Sequence, residues 1–471
     1  MRGKNSATAL EEAQVKEFKA LQRGEVLDPT HLEYETNRKI WNGMIDNRPA
    51  LIARCTGVAD VVNAVKFARD HNLLVSMRCG GHHPSGYAVC DGGLVMDLRP
   101  MKGVRVDPIK RTVHAQAGLN WTEFDRETEV FGLATPGGNV GDTGVAGLTI
   151  GGGIGWLSRK YGLTCDNLLS ADIVTADGRC LTASASENED LFWGIRGGGG
   201  NFGVVTSFEF RLHPVTLVIG GWVVYSLDQA KAYLRFLRGY FETVPDGLSL
   251  SIFFINAQID ASLSAIVGDQ VVVAAVVCFT GALDEGERVL KPLRTFAAPI
   301  VDFIGPMPYT VQQGLGDRLV EQGLPCYEKS VYLNSLADGA IEVLVDQAKA
   351  MTSPQTHLHF VLMGGAIARV AEDETAVPHR MAAFDCYILP IWRHGDQADR
   401  HIAWARKTLS ALQPFSTGGG YLNRHQTDDD GEVETIYGAS KYERLVAVKN
   451  KYDPTNFFRV NHNIKPTREI A

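Results

Sequence analysis

Between Leu51 and Leu212 the apolar positions keep two rhythms. From Val58 to Asp70 they return at helical spacing, with Val61, Val62, Val65 and Phe67-Ala68 on one stripe, which predicts a helix. Short apolar runs on either side, Leu51 to Cys55 and Leu73 to Met77, have the length of strands. A strand follows at Leu94 to Leu98, then a hairpin of Gly103 to Val106 and Thr112 to Ala117 turning near Asp107-Pro108. Trp121 to Phe131 reads as a helix. Leu169 to Thr175 and Arg179 to Ala183 pair across Ala176-Asp177-Gly178, and Val204 to Leu212 makes a long last strand. Helices and strands mixed in this way make the first half α+β.

From about Thr216 the texture changes. Strands are expected at Gly220 to Tyr225, Ser249 to Ile255 and Gln270 to Phe279, with helices at Asp228 to Phe241 and Glu285 to Phe296. The alternation returns over Glu328 to Met351, His357 to Met363 and Phe384 to Leu412. This predicts an antiparallel sheet backed by helices. The chain closes with Gly418-Gly419-Gly420-Tyr421-Leu422-Asn423, an acidic turn at Asp428-Asp429-Asp430, a helix near Lys441 to Asn450, and a tail from Phe457 to Pro466.

At 471 residues the chain exceeds one ordinary core. Lys plus Arg number 46 against 54 Asp plus Glu, a formal charge of −8, so the overall balance points to neither nucleic acid nor an anionic membrane as partner. The first residues, from Met1 to Val26, have no apolar core of signal-peptide length and read as an exposed helix, and no apolar run spans a membrane. A soluble, cytoplasmic protein is expected. The eight cysteines form no CxxC pair, which argues against a zinc ribbon or a disulfide framework, and no metal is expected. Cys79 stands apart because it lies inside a glycine loop.

That loop carries the chemistry. Leu73 to Tyr87 is a short apolar run that stops in Arg78-Cys79-Gly80-Gly81-His82, where bare backbone can approach a ligand and turn N–H groups towards an anion. Further glycine clusters follow at Thr135-Pro136-Gly137-Gly138, Gly151 to Gly155 and Gly197 to Gly200. Gly198, Gly200 and Gly203 fit G-x-G-x-x-G, yet the order is wrong for a Rossmann loop. Phe192-Trp193 precede the motif and the β-branched Val204-Val205-Thr206 run follows it, whereas the fingerprint sits after a strand and opens a helix. No phosphate-binding G-x-x-x-x-G-K-[ST] loop, G-x-S-x-G elbow or H-E-x-x-H helix is present.

Taken together, Arg78 to His82, Thr135 to Gly138, the run from Val145 to Leu168, Gly197 to Val205 and Asn461-His462-Asn463-Ile464 resemble the FAD-linked oxidases of the berberine-bridge-enzyme type, in the vanillyl-alcohol-oxidase superfamily. The resemblance implies a PCMH-type FAD-binding domain in two parts, residues 1–215 and 417–471, with a substrate domain of residues 216–416 inserted between them. It implies that FAD is held by Arg78, Cys79, Gly80, Gly81, His82, Thr135, Pro136, Gly137, Gly138, Gly144, Val145, Gly147, Gly151, Gly152, Gly155, Val204, Val205, Asn461 and Asn463. His82 matches the histidine that bonds the flavin 8α-methyl group, with His83 its solvent-side neighbour. Bicovalent relatives carry a cysteine where this chain has Val140, so a single covalent link is expected.

The resemblance also gives Tyr421 a place beside the flavin, as the base that removes a proton from the substrate's O–H or N–H while hydride leaves carbon. A free phenol titrates near 10, so such a role needs an environment that stabilises the anion. Its alternative is a buried anchor for the returning segment. His357 and His359 share one face of a strand and could line a pocket, hold a metal or face solvent. Asp385 and Tyr387 are further candidates, and Asp428 to Asp430 reads as a solvated turn. The expected activity is oxidation of an alcohol or amine carbon in a small organic molecule (a sugar, an alkaloid or another secondary metabolite), with molecular oxygen as acceptor. The alternative is a dehydrogenase using another acceptor. Thr143, at the family's oxygen-access position, leans towards oxygen.

Overall fold

The computed structural model describes residues 10–319, 321–428 and 431–467. Its first half is built on two sheets. Leu51–Arg54, Leu94–Asp97 and Val75–Arg78 run parallel, and Val26–Leu27 pairs antiparallel on the edge. The helix Val58–Asp70 joins the first and last of these parallel strands and buries Val61, Ala64, Val65 and Ala68. A second sheet, antiparallel throughout, sets Val204–Arg211 between Thr112–Gln116 and Leu168–Val174, with Val104–Asp107 and Cys180–Ser184 outside them. One apolar core joins both sheets.

The α+β expectation holds, and so does the antiparallel sheet of the second half. Its strands lie in the order Val301–Asp302, Leu217–Ser226, Val271–Phe279, Leu248–Asn256, His357–Leu362, Phe384–Leu389 and Lys329–Leu333, with Gly305–Pro308 also paired to the second. Strand alternation gives the sheet two different faces. Leu250, Ile252, Phe254, Leu358, Phe360, Cys386 and Ile388 pack under the helices Ala230–Phe241, Leu283–Arg294, Asp338–Lys349 and Ala398–Leu412. Phe253, Val276, His357, His359 and Tyr387 point the other way, into a cavity shared with the first half.

After the helix Ala398–Leu412 the chain comes back across this sheet. Tyr332 N–H bonds Gly419 O at 2.9 Å, and Tyr421 N–H bonds Ser330 Oγ at 2.8 Å, so the strand Lys329–Leu333 fixes where Tyr421 stands. The helix Ala439–Tyr452 then packs on the first half. Its Lys449, fully buried, pairs with Asp453 at 2.7 Å and donates to Asn201 O at 2.9 Å and Phe458 O at 2.8 Å. A buried ammonium is tolerable only when its donors are all engaged, and here their engagement ties the glycine turn at Asn201 to the tail that carries Asn461.

Candidate active site

Where the two halves meet lies a cavity of about 250 Å³. Of the residues expected to hold the cofactor, Cys79, Gly80, Gly81, His82, Gly144, Gly147, Gly151, Val204, Val205 and Asn461 line it, together with Tyr421. Gly80 and Gly144 hold two loops in direct backbone contact: a Cβ on Gly80 would lie 2.3 Å from Gly144 N. Gly147 faces open space instead, with nothing within 4 Å of a Cβ added there. The amides of Gly81, His82 and His83 donate to no acceptor among the described residues. Glycine-lined backbone with unengaged N–H groups suits a pyrophosphate, while Met77, Leu148, Ile150 and Tyr437 provide apolar wall for flat rings. Asn461 Oδ1 and His462 Nδ1 are buried without a partner. The residues present therefore fit FAD.

Arg78, Thr135, Pro136, Gly137, Gly138, Val145, Gly152, Gly155 and Asn463 are not on the cavity wall. Thr135 to Gly138 are buried behind it, where Gly137 lies against the Trp121 ring and leaves no room for a side chain, a Cβ falling 2.5 Å from Trp121 Cε3. The Arg78 guanidinium turns away to donate to Asn37 O. Cys79 donates its thiol to Ala117 O at 2.8 Å, and burial pushes its pKa up, so it packs as a neutral group. His83, expected at the solvent side, faces inward instead. Its Nδ1 accepts from Ser85 N–H, so Nε2 carries the hydrogen, 3.0 Å from Leu422 O and 3.1 Å from His462 Nε2. Burial pulls the His83 pKa down to about 4, leaving it neutral.

On the cavity wall Tyr421 is buried and its oxygen accepts two hydrogen bonds, from Gly153 N–H at 2.9 Å and from Asn423 Nδ2 at 2.8 Å. Burial pushes the phenol up to about 12, although both hydrogen bonds and Arg424 pull the other way. It is thus a phenol at neutral pH, and its own O–H donates to no acceptor among the described residues. Asn423 completes the arrangement: its Nδ2 also donates to Leu148 O at 3.0 Å, and its side chain fills the space over Gly151, where a Cβ would sit 1.9 Å from Asn423 Oδ1.

Next to this cavity is a smaller chamber of about 60 Å³, walled by Trp156, Trp222, Phe253, Val276, Tyr387, His357 and His359. Val140, Ile154, Leu389 and Arg424 line both spaces. His357 and His359 are therefore pocket walls, not solvent-facing. Burial holds both imidazoles neutral, and His357 Nε2, His359 Nδ1, Trp156 Nε1 and Asn139 Oδ1 are buried without partners. His359 is stacked on Phe253 at 4.3 Å. No group of three or more His, Cys, Asp or Glu is gathered as metal ligands among the described residues.

Three residues of this region carried no sequence signal. Glu328 lines the main cavity at 3% exposure, and burial raises its carboxyl to about 7 against the pull of Arg424, whose Nη1 is 3.3 Å away. Arg424 also lies over the Tyr387 ring at 4.8 Å. Asp142 Oδ1 accepts from His82 Nε2 at 2.9 Å. Asp385, a weaker candidate from sequence, is fully buried with Ser330 Oγ donating to it at 2.7 Å, and burial raises it to about 6. Asp428 is not a bare solvated turn: it takes Lys329 Nζ at 3.1 Å and Arg406 at 2.8 Å, while Asp429 and Asp430 lie outside the described residues.

Comparison with known proteins agrees with this geometry. Residues 49–184 match the family model described as FAD binding domain, and residues 420–465 the one described as berberine and berberine like. An FAD-linked oxidoreductase of Dictyostelium discoideum is 34% identical, over 92% of this chain and 93% of its own length. The chain is a berberine-bridge-enzyme-like FAD-linked oxidoreductase. The (R)-6-hydroxynicotine oxidase of Paenarthrobacter nicotinovorans is 31% identical over 94% of this chain and 97% of its own. The crystal structure of 6-hydroxy-D-nicotine oxidase from Arthrobacter nicotinovorans superposes with a TM-score of 0.85 at 30% identity, covering 94% of this chain and 98% of that one. This berberine-bridge-enzyme-like chain takes FAD as cofactor, and its oxidase relatives act on small molecules. Among its described residues no helix is long and apolar enough to cross a membrane.

Proposed function

We propose that the protein is an oxidase that removes hydride from an alcohol or amine carbon of a small ring molecule, with FAD attached through His82 alone and molecular oxygen as the terminal acceptor. The observation that carries this is the shared wall of the two spaces: Val140, Ile154, Leu389 and Arg424 line both the main cavity and the aromatic chamber, and Tyr421 lines the main cavity. FAD supplies the two-electron acceptor for the hydride. The chain does the rest. The unengaged Tyr421 O–H orients the substrate's reacting O–H or N–H, with Gly153 and Asn423 fixing the phenol from behind. Glu328, with its carboxyl near 7, is the acceptor for the proton released, because a base works best when its pKa lies near the operating pH.

The chamber walls favour an uncharged aromatic or alkaloid-like ring over a sugar. Trp156, Trp222 and Phe253 offer flat apolar contact, while the few orphaned polar atoms are those of two neutral imidazoles, one indole and one amide. A hexose would bring more hydroxyls than these can satisfy, and each one left unpaired costs about 1–3 kcal/mol. Thr143 on the cavity wall, together with the naming of an oxidase among the relatives, supports oxygen as acceptor. The experiment is anaerobic titration of the yellow protein with a panel of aromatic alcohols, cyclic amines and sugars, followed by admission of air. Bleaching by a ring compound and fast recovery with peroxide are expected. Recovery that needs an added quinone would replace the oxidase with a dehydrogenase.

A further inference from the structure

We propose that Asp142 is the positioning residue for covalent attachment of the flavin, holding His82 in one tautomer and taking its proton as the bond forms; this rests on the attachment at His82 proposed above. The His82 ring is held between two neighbours. Trp41 stacks on it at 5.7 Å and 21°, and Asp142 Oδ1 takes Nε2 at 2.9 Å. A carboxylate can only accept, so Nε2 carries the hydrogen and Nδ1 carries the lone pair. Nδ1 has no hydrogen-bond partner among the described residues, and the imidazole lines the cofactor cavity. The nitrogen left free is thus the nucleophilic one.

Asp142 is itself fixed in place. Gly141 N–H donates to Asp317 Oδ1 at 2.6 Å, Thr122 N–H to Gly141 O at 2.8 Å and Thr143 N–H to Val140 O at 3.1 Å, so the loop is pinned on both sides of the carboxylate. Burial works to raise the Asp142 pKa, but the hydrogen bond and charge of His82 together with a backbone N–H outweigh it and hold the carboxyl below its ordinary value. The side chain is 55% exposed, which gives a proton taken from His82 a way out to solvent.

The chemistry balances with dioxygen as co-reactant. The Nδ1 lone pair forms the N–C bond to the flavin 8α carbon, and one C–H bond of that methyl group breaks, its hydrogen leaving as a proton. Alkylated at Nδ1 while still protonated at Nε2, the imidazole is cationic. Asp142 accepts the Nε2 proton and restores neutrality. The two electrons released pass through the flavin ring to dioxygen, which leaves with two protons as hydrogen peroxide.

The test compares Asp142→Asn, Asp142→Glu and wild type by total bound flavin, by the fraction that stays with the polypeptide in acid, and by the growth of that fraction during incubation with FAD in air. Asn can still accept from Nε2–H but cannot take its proton. Asp142→Asn is expected to bind FAD normally and attach it at least about tenfold more slowly, with Asp142→Glu recovering part of the rate. Attachment by Asp142→Asn at the wild-type rate overturns the role of Asp142 alone, and so does loss of all bound FAD, which would make Asp142 a binding residue. Release of the wild-type flavin by acid overturns attachment at His82, and the role of Asp142 with it.

Discussion

Replacing Tyr421 by Phe separates the two roles open to this residue. The ring remains, so the packing against Gly152 (3.7 Å from Tyr421 Cε2 to a Cβ built there) is unchanged. What goes is the oxygen that accepts from Gly153 N–H and Asn423 Nδ2. Asn423 keeps one of its two Nδ2 hydrogen bonds, that to Leu148 O at 3.0 Å, whereas the backbone N–H of Gly153 is left with none. Leaving one buried donor unpaired costs about 1–3 kcal/mol of stability. The fold should survive that loss with its FAD. If the phenol takes part in the chemical step, flavin reduction slows by about 10²- to 10⁴-fold, or roughly 3–5 kcal/mol of barrier. Anaerobic stopped-flow absorbance reads both effects at once. The amplitude reports how much protein is folded and loaded, and the rate constant reports the step itself. Reduction at the wild-type rate constant, whatever the amplitude, would refute the catalytic role and leave Tyr421 as an anchor for the returning segment.

Other outcomes follow from the same geometry. His82→Ala should release its FAD on acid precipitation whereas the wild type stays yellow in the pellet, as read by flavin fluorescence of denatured protein. Glu328 must be ionised to accept a proton, so with its carboxyl near 7 the rate of flavin reduction should rise with pH through that value. Glu328→Gln should be slower and flat over the same range, and a retained rise would move the proton to another group, Asp385 first. After reduction by substrate, air should restore the flavin spectrum with one peroxide formed per turnover, measured by a coupled peroxidase assay.

Much of the fold could be read from periodicity because its elements are strongly patterned. The helix Val58–Asp70 was legible to its ends, since Val61, Val65 and Ala68 fall on one stripe. Trp121–Glu129 ended two residues earlier than its pattern suggested, because Phe131 is half exposed and adds nothing to the buried face. His357 and His359 showed their common face, but three environments fitted it. Only the sheet order, which sets their strand between Leu248–Asn256 and Phe384–Leu389, turns that face towards the chamber beside the main cavity. Glu328 could not have been found from sequence at all. Its raised pKa comes from burial under a segment nearly a hundred residues further on, and Arg424, the counter-charge, arrives with that segment. Asp428 failed for the same reason: among acidic neighbours it looked solvated, and its cationic partners are Arg406 and the fully buried Lys329 from a distant strand.

The tie between Tyr421 and the strand Lys329–Leu333, and that between Lys449 and the glycine turn at Asn201, also set the order of events in biosynthesis. A ribosome delivers the loop around His82 early and the residues that close the cavity over it last. Domains fold as they emerge, N-terminal parts first, yet here the nascent first half has no Tyr421, Arg424 or Asn461 with which to enclose a cofactor. Enclosure of the cavity therefore belongs to the finished polypeptide, and a chain that stopped before Gly418 would have the glycine loop at His82 and the aromatic chamber wall without the segment that joins them.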